Sequence, residues 1–175
     1  KLIYRKGCDI LLRSIYLLNK NPKFKNFTEI IIVGDGILKN SLINFTTENN
    51  LNNVKFVGFK DQNKIKNYYK QSNLFVIPSR EENWGLTINE AMAAKNAIIS
   101  SNNVCSSKDL VKNNYNGYIF KSGDHKDLSQ KILKIFNNKS LLYKFSNNSA
   151  KIISKWSFNQ CYEGLIKAAD SVLKK

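Results

Sequence analysis

Two carboxylates, Glu82 and Glu90, lie in the stretch Pro78-Ser79-Arg80-Glu81-Glu82-Asn83-Trp84-Gly85-Leu86-Thr87-Ile88-Asn89-Glu90-Ala91-Met92-Ala93. The apolar run Leu74–Ile77 before it reads as a strand, so a helix begins near Gly85 or Leu86 and Glu82 lies in the loop above the strand end. Glu90 then sits about one turn into that helix, since a turn takes ~3.6 residues. Seven residues separate the two acids, a spacing that lets both line one pocket at different depths. Between them, the N–H groups of Leu86 and Thr87 are first-turn donors without an intrahelical acceptor. Such a terminus favours an anion by roughly 0.3–1 kcal/mol, up to ~2 kcal/mol where partly buried. A carboxylate beside it accepts from hydroxyls, at about 1.5–3 kcal/mol per bond, because repulsion keeps it off a phosphate. Hydroxyls next to a diphosphate would satisfy both demands. On spacing alone, however, Glu81, Glu82 and Glu90 read first as acids that cap and solvate a helix.

Around this stretch, short β-branched runs alternate with longer amphipathic ones. The expected strands are Leu2–Tyr4, Glu29–Val33, Val54–Val57, Leu74–Ile77, Ala97–Ser100 and Tyr118–Phe120. Helical spacing links Ile10, Leu11, Ser14, Ile15 and Leu18, then Leu38, Leu42 and Phe45. It recurs in Ile65, Tyr68 and Tyr69, and in Ile88, Ala91 and Met92. After Asp124 the chain reads as wholly helical, through Leu128–Phe136, Leu141–Ile152 and Gln160–Leu173. This order predicts an α/β fold: a parallel sheet of about six strands, helices on both faces and a helical C-terminus. Ligands of such sheets bind beyond the carboxyl ends of the strands, here after Val33, Val57, Ile77 and Ser100. No repeat, Pro-rich linker or low-complexity tract divides residues 1–175, so one domain is expected.

The 175 residues are 42% hydrophobic and 11% aromatic, a globular composition. Twenty-eight basic against thirteen acidic residues give a formal charge of +15. That excess permits nucleic acid, an acidic membrane surface or a phosphorylated substrate, and solvated lysines on helix faces explain it equally. No apolar run approaches the ~18 residues of a membrane span, and no leader opens the chain. Beginning at Lys1 rather than Met, the sequence reads as a fragment. Three dispersed cysteines and the single His125 offer neither a disulfide framework nor a zinc site, which fits a reducing compartment. A lone histidine also gives no catalytic triad, and His125 reads as a surface residue at a helix start. Gly34-x-Gly36-x-x-Lys39 lacks the third glycine of a dinucleotide fingerprint, and no P-loop occurs. No Asp-x-Asp is present to bridge a metal to a diphosphate. Trp156 and Phe158 read as core or interdomain packing, and at least one of Tyr68 and Tyr69 as core.

The Pro78–Ala93 stretch resembles the Glu-x7-Glu signature of retaining glycosyltransferases with two Rossmann-like domains, the GT-B enzymes of glycosyltransferase family 4, or glycosyl transferases group 1. Pro78-Ser79, Trp84-Gly85-Leu86 and Glu90-Ala91-Met92-Ala93 match around the two acids. The likeness spans nearly the whole chain. Lys6-Gly7 followed by Asp9-Ile10-Leu11-Leu12 is similar to the family's lysine-glycine helix start, and Ile32-Val33-Gly34-Asp35-Gly36 to its GDG turn. Val54–Phe59 resembles the loop near its nucleobase, while Asp109-Leu110-Val111, Asn116-Gly117 and Gly123-Asp124 match later segments. Lys95-Asn96-Ala97 departs from the usual Gly-x-Pro, and Cys105 stands where a glycine is common.

The resemblance implies a Rossmann-like donor domain, one half of a GT-B fold, with the acceptor half outside this sequence and the fragment inactive alone. It implies that Lys6 holds the donor diphosphate and stabilises the leaving group. Lys1 stands five residues earlier, where the family usually has arginine, and keeps the charge without the bidentate fork. Glu90 would bind ribose hydroxyls and Glu82 those of the transferred sugar. Backbone atoms of Asn83, Trp84 and Gly85 would approach the sugar, those of Leu86 and Thr87 the phosphates, and those of Phe59 and Lys60 the base. The implied partners are a nucleotide-sugar donor and a sugar or lipid-linked acceptor, with no metal, cofactor or nucleic acid. Lysine-rich segments 126–139 and 151–175 suit an anionic membrane, consistent with a cytoplasmic protein peripheral to the inner membrane face. A basic binding module without catalysis, or an epimerase or phosphorylase on the same scaffold, stays open.

Overall fold

The computed structural model describes residues 1–173. A 3₁₀ turn, Tyr4–Lys6, leads into α1 (Cys8–Leu18), α2 (Pro22–Phe27), β1 (Ile30–Val33), α3 (Lys39–Glu48), β2 (Val54–Gly58) and α4 (Gln62–Gln71). There follow β3 (Leu74–Ile77), α5 (Leu86–Ala93), β4 (Ala97–Ser101), α6 (Ser107–Leu110), β5 (Gly117–Phe120), α7 (His125–Phe136), α8 (Lys139–Ile153) and α9 (Phe158–Leu173). Among the described residues the strands form two parallel sheets, β1–β2 and β3–β4–β5.

β4 shows how the layers arise. Successive strand side chains face opposite ways, and all five residues of β4 are buried. Ala97 and Ile99 enter a cluster with Ile10 and Ile15 of α1 and with Leu128, Ile132 and Ile135 of α7. Ile98 faces the other way, among Tyr69 of α4 and Ile88, Ala91 and Met92 of α5. Each such fully buried aliphatic side chain contributes about 1.5–3 kcal/mol, which fixes helices on both faces. A third cluster joins Leu2, Cys8, Leu12, Ile32 and Leu42, and Ile30 and Val54 touch both this cluster and the first, so packing carries across the two sheets.

Five of the six expected strands are present, with no end displaced by more than one residue. Leu2–Tyr4 is not a strand. The Leu2 N–H donates to the Asp35 carbonyl at 2.8 Å, and the Leu2 carbonyl accepts from Leu38 N–H at 3.1 Å. Its backbone is therefore bonded to the loop after β1 rather than to a ladder, and Tyr4–Lys6 curls into the 3₁₀ turn. Trp156 and Phe158 are not core either: Trp156 is 43% and Phe158 94% exposed. Tyr69 is the buried member of the Tyr68–Tyr69 pair.

The unusual Lys95-Asn96-Ala97 segment closes α5. Lys95 has φ +60, with Asn96 N–H bonded to Ala91 O and Lys95 N–H to Met92 O, both at 3.0 Å, so it fills the left-handed position just past the helix. A non-glycine residue pays roughly 1–2 kcal/mol in that conformation, partly offset by the greater unfolded-chain entropy of glycine. Lys95 is exposed, so Lys95→Gly is expected to stabilise the chain by about 0.5–1 kcal/mol. A urea unfolding midpoint that stays put or falls would refute this. Ala97 N–H donates to Asn73 O at 3.0 Å, a bond that proline at this position would forgo.

Candidate functional site

Gly7 brings the two halves of the site together. It has φ +65, ends the 3₁₀ turn and starts α1, and a Cβ placed on it would lie 2.0 Å from the Pro78 carbonyl oxygen. Only a residue without a side chain lets the Lys6 turn approach the β3–α5 loop this closely. The result is an ion pair between Lys6 Nζ and Glu82 Oε2, groups 76 residues apart in sequence. Lys6 is 29% and Glu82 14% exposed, so the pair is partly shielded yet open on one side.

Glu82 is held at its backbone as well. Its N–H donates to Asn103 O and its carbonyl accepts from Cys105 N–H, both at 3.1 Å, an isolated parallel bridge to the loop after β4. The Trp84 carbonyl accepts from Ser106 N–H at 3.2 Å. Cys105 thus substitutes for the expected glycine at little cost: it contributes a backbone donor and its side chain is exposed. Gly85, with φ +85, is the N-cap of α5, and a Cβ there would meet Val104 Cγ1 at 3.1 Å and Glu82 Cγ at 3.2 Å. No side chain caps α5 and no acid lies in its first turn. The N–H groups of Leu86 and Thr87 make no hydrogen bond among the described residues. An uncapped helix start carries partial positive charge on its free N–H groups, which favours an anion.

One turn further along α5, Glu90 Oε2 accepts from the Tyr69 hydroxyl at 2.9 Å, and Oε1 makes no hydrogen bond among the described residues. Burial, reinforced by that bond and by the Glu90 charge, pushes the Tyr69 phenol well above its ordinary range, so the hydroxyl remains a donor. Asn96 braces the arrangement from below. Its Nδ2 donates to Tyr69 O at 2.8 Å and Ala91 O at 3.1 Å, tying α4 to α5. α4 starts immediately after Phe59 and Lys60, capped by Asp61, and so connects the end of β2 to Glu90. Phe59 is 76% exposed, and Lys60 lines a surface hollow of about 330 Å³ with Lys64, Asn67, Tyr68 and Gln71.

The structure therefore brings Lys6, Glu82, Gly85 and the Leu86–Thr87 amides into one place, with Glu90 a turn away. Lys1 forms no salt bridge among the described residues, and its backbone lies beside Gly34. Burial first, then the Lys6 charge, holds its α-amino group below the ordinary range, with Glu82 acting in the opposite sense. Asn83 is exposed and Trp84 half-buried, with the Trp84 indole N–H donating to Asn89 Oδ1 at 3.2 Å. The rings of Trp84 and Trp156 lie 5.8 Å apart, so the residue leading into α9 leans on this loop. Sequence reasoning missed Tyr69, Asp9, Arg80 and the Asn103–Ser106 loop. Asp9 and Arg80 form a bidentate ion pair across 71 residues. Burial opposes ionisation of Asp9, but the Arg80 fork and charge outweigh it and hold the carboxyl below its ordinary range. No local spacing rule exposes a contact between groups so distant in the chain.

A model of the glycosyl transferases group 1 family matches residues 1–152, which contain Lys6, Glu82, Glu90 and the start of α5. The chain belongs to this family. An uncharacterized glycosyltransferase of Methanocaldococcus jannaschii is 29% identical to it over 168 residues, covering 96% of this chain and 45% of that protein. The structure of Anabaena HepE in complex with UDP superposes with a TM-score of 0.84 at 22% identity, over 98% of this chain and 47% of that one. The C-terminal domain of LpcC, a glycosyl transferase group 1 protein of Francisella tularensis, superposes with a TM-score of 0.80 at 22% identity, over 90% and 83% of the two chains. This group 1 chain thus spans less than half the length of its Methanocaldococcus relative and has the fold of one half of a GT-B glycosyltransferase.

Proposed function

We propose that the chain is the donor-binding half of a retaining glycosyltransferase, taking a nucleoside diphosphate sugar. The observation that carries this reading is the Lys6–Glu82 pair beside the uncapped start of α5. A diphosphate laid against the Leu86 and Thr87 amides meets the positive end of the helix and the Lys6 ammonium, which together take up the negative charge that grows as the sugar departs. No metal is called on for that role. Glu82 is then freed from Lys6 to accept hydroxyls of the transferred sugar, and Glu90 Oε1 accepts from the ribose. Backbone atoms of Asn83, Trp84 and Gly85 border the sugar, and those of Phe59 and Lys60 border the base. The acceptor, a sugar or lipid-linked glycan, is brought by residues outside this chain and attacks the anomeric carbon. HepE holds UDP in a structure of the same fold, so UDP is the first ligand to test, with GDP as comparison. On this reading the protein works in the cytoplasm, and its lysine-rich segments 126–139 and 151–173 rest against an anionic membrane; Lys174 and Lys175, the end of the second basic stretch, lie outside the described residues.

Calorimetric titration of the folded chain is expected to show UDP or GDP binding. Glu90→Ala should weaken it by about 1.5–3 kcal/mol, the value of hydrogen bonds to a charged group. A folded chain that takes up neither nucleotide would remove the proposal.

A further inference from the structure

We infer that Arg80 is a positioning residue of the donor site, clasping the turn that carries Lys6 to the loop that carries Glu82 and keeping Asp9 away from Lys6. The inference rests on the donor-site reading above. Arg80 Nη1 donates to Asp9 Oδ1 at 2.8 Å and Nη2 to Asp9 Oδ2 at 2.6 Å. Nη1 also donates to the Tyr4 carbonyl at 2.8 Å, and the guanidinium carbon lies 3.9 Å from the centre of the Tyr4 ring. The Arg80 backbone N–H donates to the Arg5 carbonyl at 2.8 Å. One residue thus grips positions 4, 5 and 9, which bracket Lys6 on both sides. On its own strand of the loop it is gripped in turn: Asn103 Nδ2 donates to Arg80 O at 2.9 Å, and the Asn103 carbonyl accepts from Glu82 N–H at 3.1 Å.

Two physical needs explain the clasp. The 3₁₀ turn has weak internal support, the Lys6-to-Ile3 and Gly7-to-Tyr4 hydrogen bonds at 3.0 and 3.1 Å, because 3₁₀ bonds are poorly aligned. Without external contacts, Lys6 would be presented over a spread of positions. Asp9 is also a carboxylate only three residues from Lys6. Left unpaired, it would compete for the ammonium and repel an incoming phosphate. The guanidinium fork occupies both Asp9 oxygens, and a planar guanidinium is the group that can do this while stacking on Tyr4. A lysine at position 80 keeps the charge but loses both the fork and the stack.

The test compares a nucleoside diphosphate with its nucleoside, using UDP and uridine, or GDP and guanosine, whichever diphosphate the wild-type chain binds. Arg80→Met is expected to weaken the diphosphate about 10- to 100-fold, as small displacements of a positioned group do, while the nucleoside changes by less than about twofold. Arg80→Lys, which retains charge, should recover only part of the loss and stands in if Arg80→Met does not fold. Unchanged diphosphate affinity in Arg80→Lys, or a parallel loss of nucleoside affinity, overturns the inference while leaving the donor site intact. Failure of the wild-type chain to bind either diphosphate overturns both.

Discussion

Gly7→Ala is expected to destabilise the chain by about 2–5 kcal/mol and to abolish nucleoside diphosphate binding. A left-handed backbone costs a residue with a Cβ roughly 1–2 kcal/mol, and forcing an extra methyl into packed surroundings a further 1–3 kcal/mol. Both apply here, because φ is +65 and the new Cβ would fall 2.0 Å from Pro78 O. A flexible side chain could swing aside, but a backbone carbonyl cannot. Relief requires the Lys6 turn to lift off the β3–α5 loop, which separates Lys6 from Glu82 and from the α5 amides. Urea unfolding checks the first part and calorimetry on the folded variant the second. Retention of wild-type UDP affinity in Gly7→Ala would show that the close approach of these segments does not build the site.

Lys6→Met carries the second large effect. It removes the only cation paired with Glu82 among the described residues and, on the proposed reading, the main partner of the diphosphate. Hydrogen bonds to charged groups contribute about 1.5–3 kcal/mol each, so UDP affinity should fall on the order of 100-fold. Glu82→Gln should move the other way for UDP. In the free protein Glu82 occupies the ammonium that the phosphates need, and breaking a partly exposed pair of this kind is worth up to ~1 kcal/mol, a gain of about fivefold. For a UDP-sugar the same variant should bind less well than for UDP alone, since the carboxylate that accepts sugar hydroxyls is gone. If Lys6→Met and Glu82→Gln weaken UDP alike, the two residues do not compete with ligand as argued.

How much of this was readable beforehand depends on the range of the forces involved. The five strands and most helices follow from local periodicity: Ala97 to Ser101 is apolar enough to be buried on both faces, and Leu128, Ile132 and Ile135 recur at helical spacing. Leu2–Tyr4 was misjudged because three β-favouring residues carry no information on whether a neighbouring strand is available; the Asp35 and Leu38 backbone groups claimed Leu2 instead. α2 was legible in principle, as Asn21 caps Lys23 N–H at 3.0 Å with Pro22 in the first turn. Four-residue α6 has too little period to detect. Within the site, the acids and the helix start between them were visible because they share one short segment. Arg80 and Asp9, Tyr69 and Glu90, and Asn103 and Glu82 meet only when distant segments fold together, so these contacts were hidden while the acids and the helix start were not.

The contact between Trp84 and Trp156 has a spectroscopic consequence. These are the chain's two tryptophans, and they lie 5.8 Å apart next to Asn83 and Gly85. Emission excited at the red edge of protein absorbance therefore originates from this one neighbourhood, so its wavelength and quenching report on the loop without any dye.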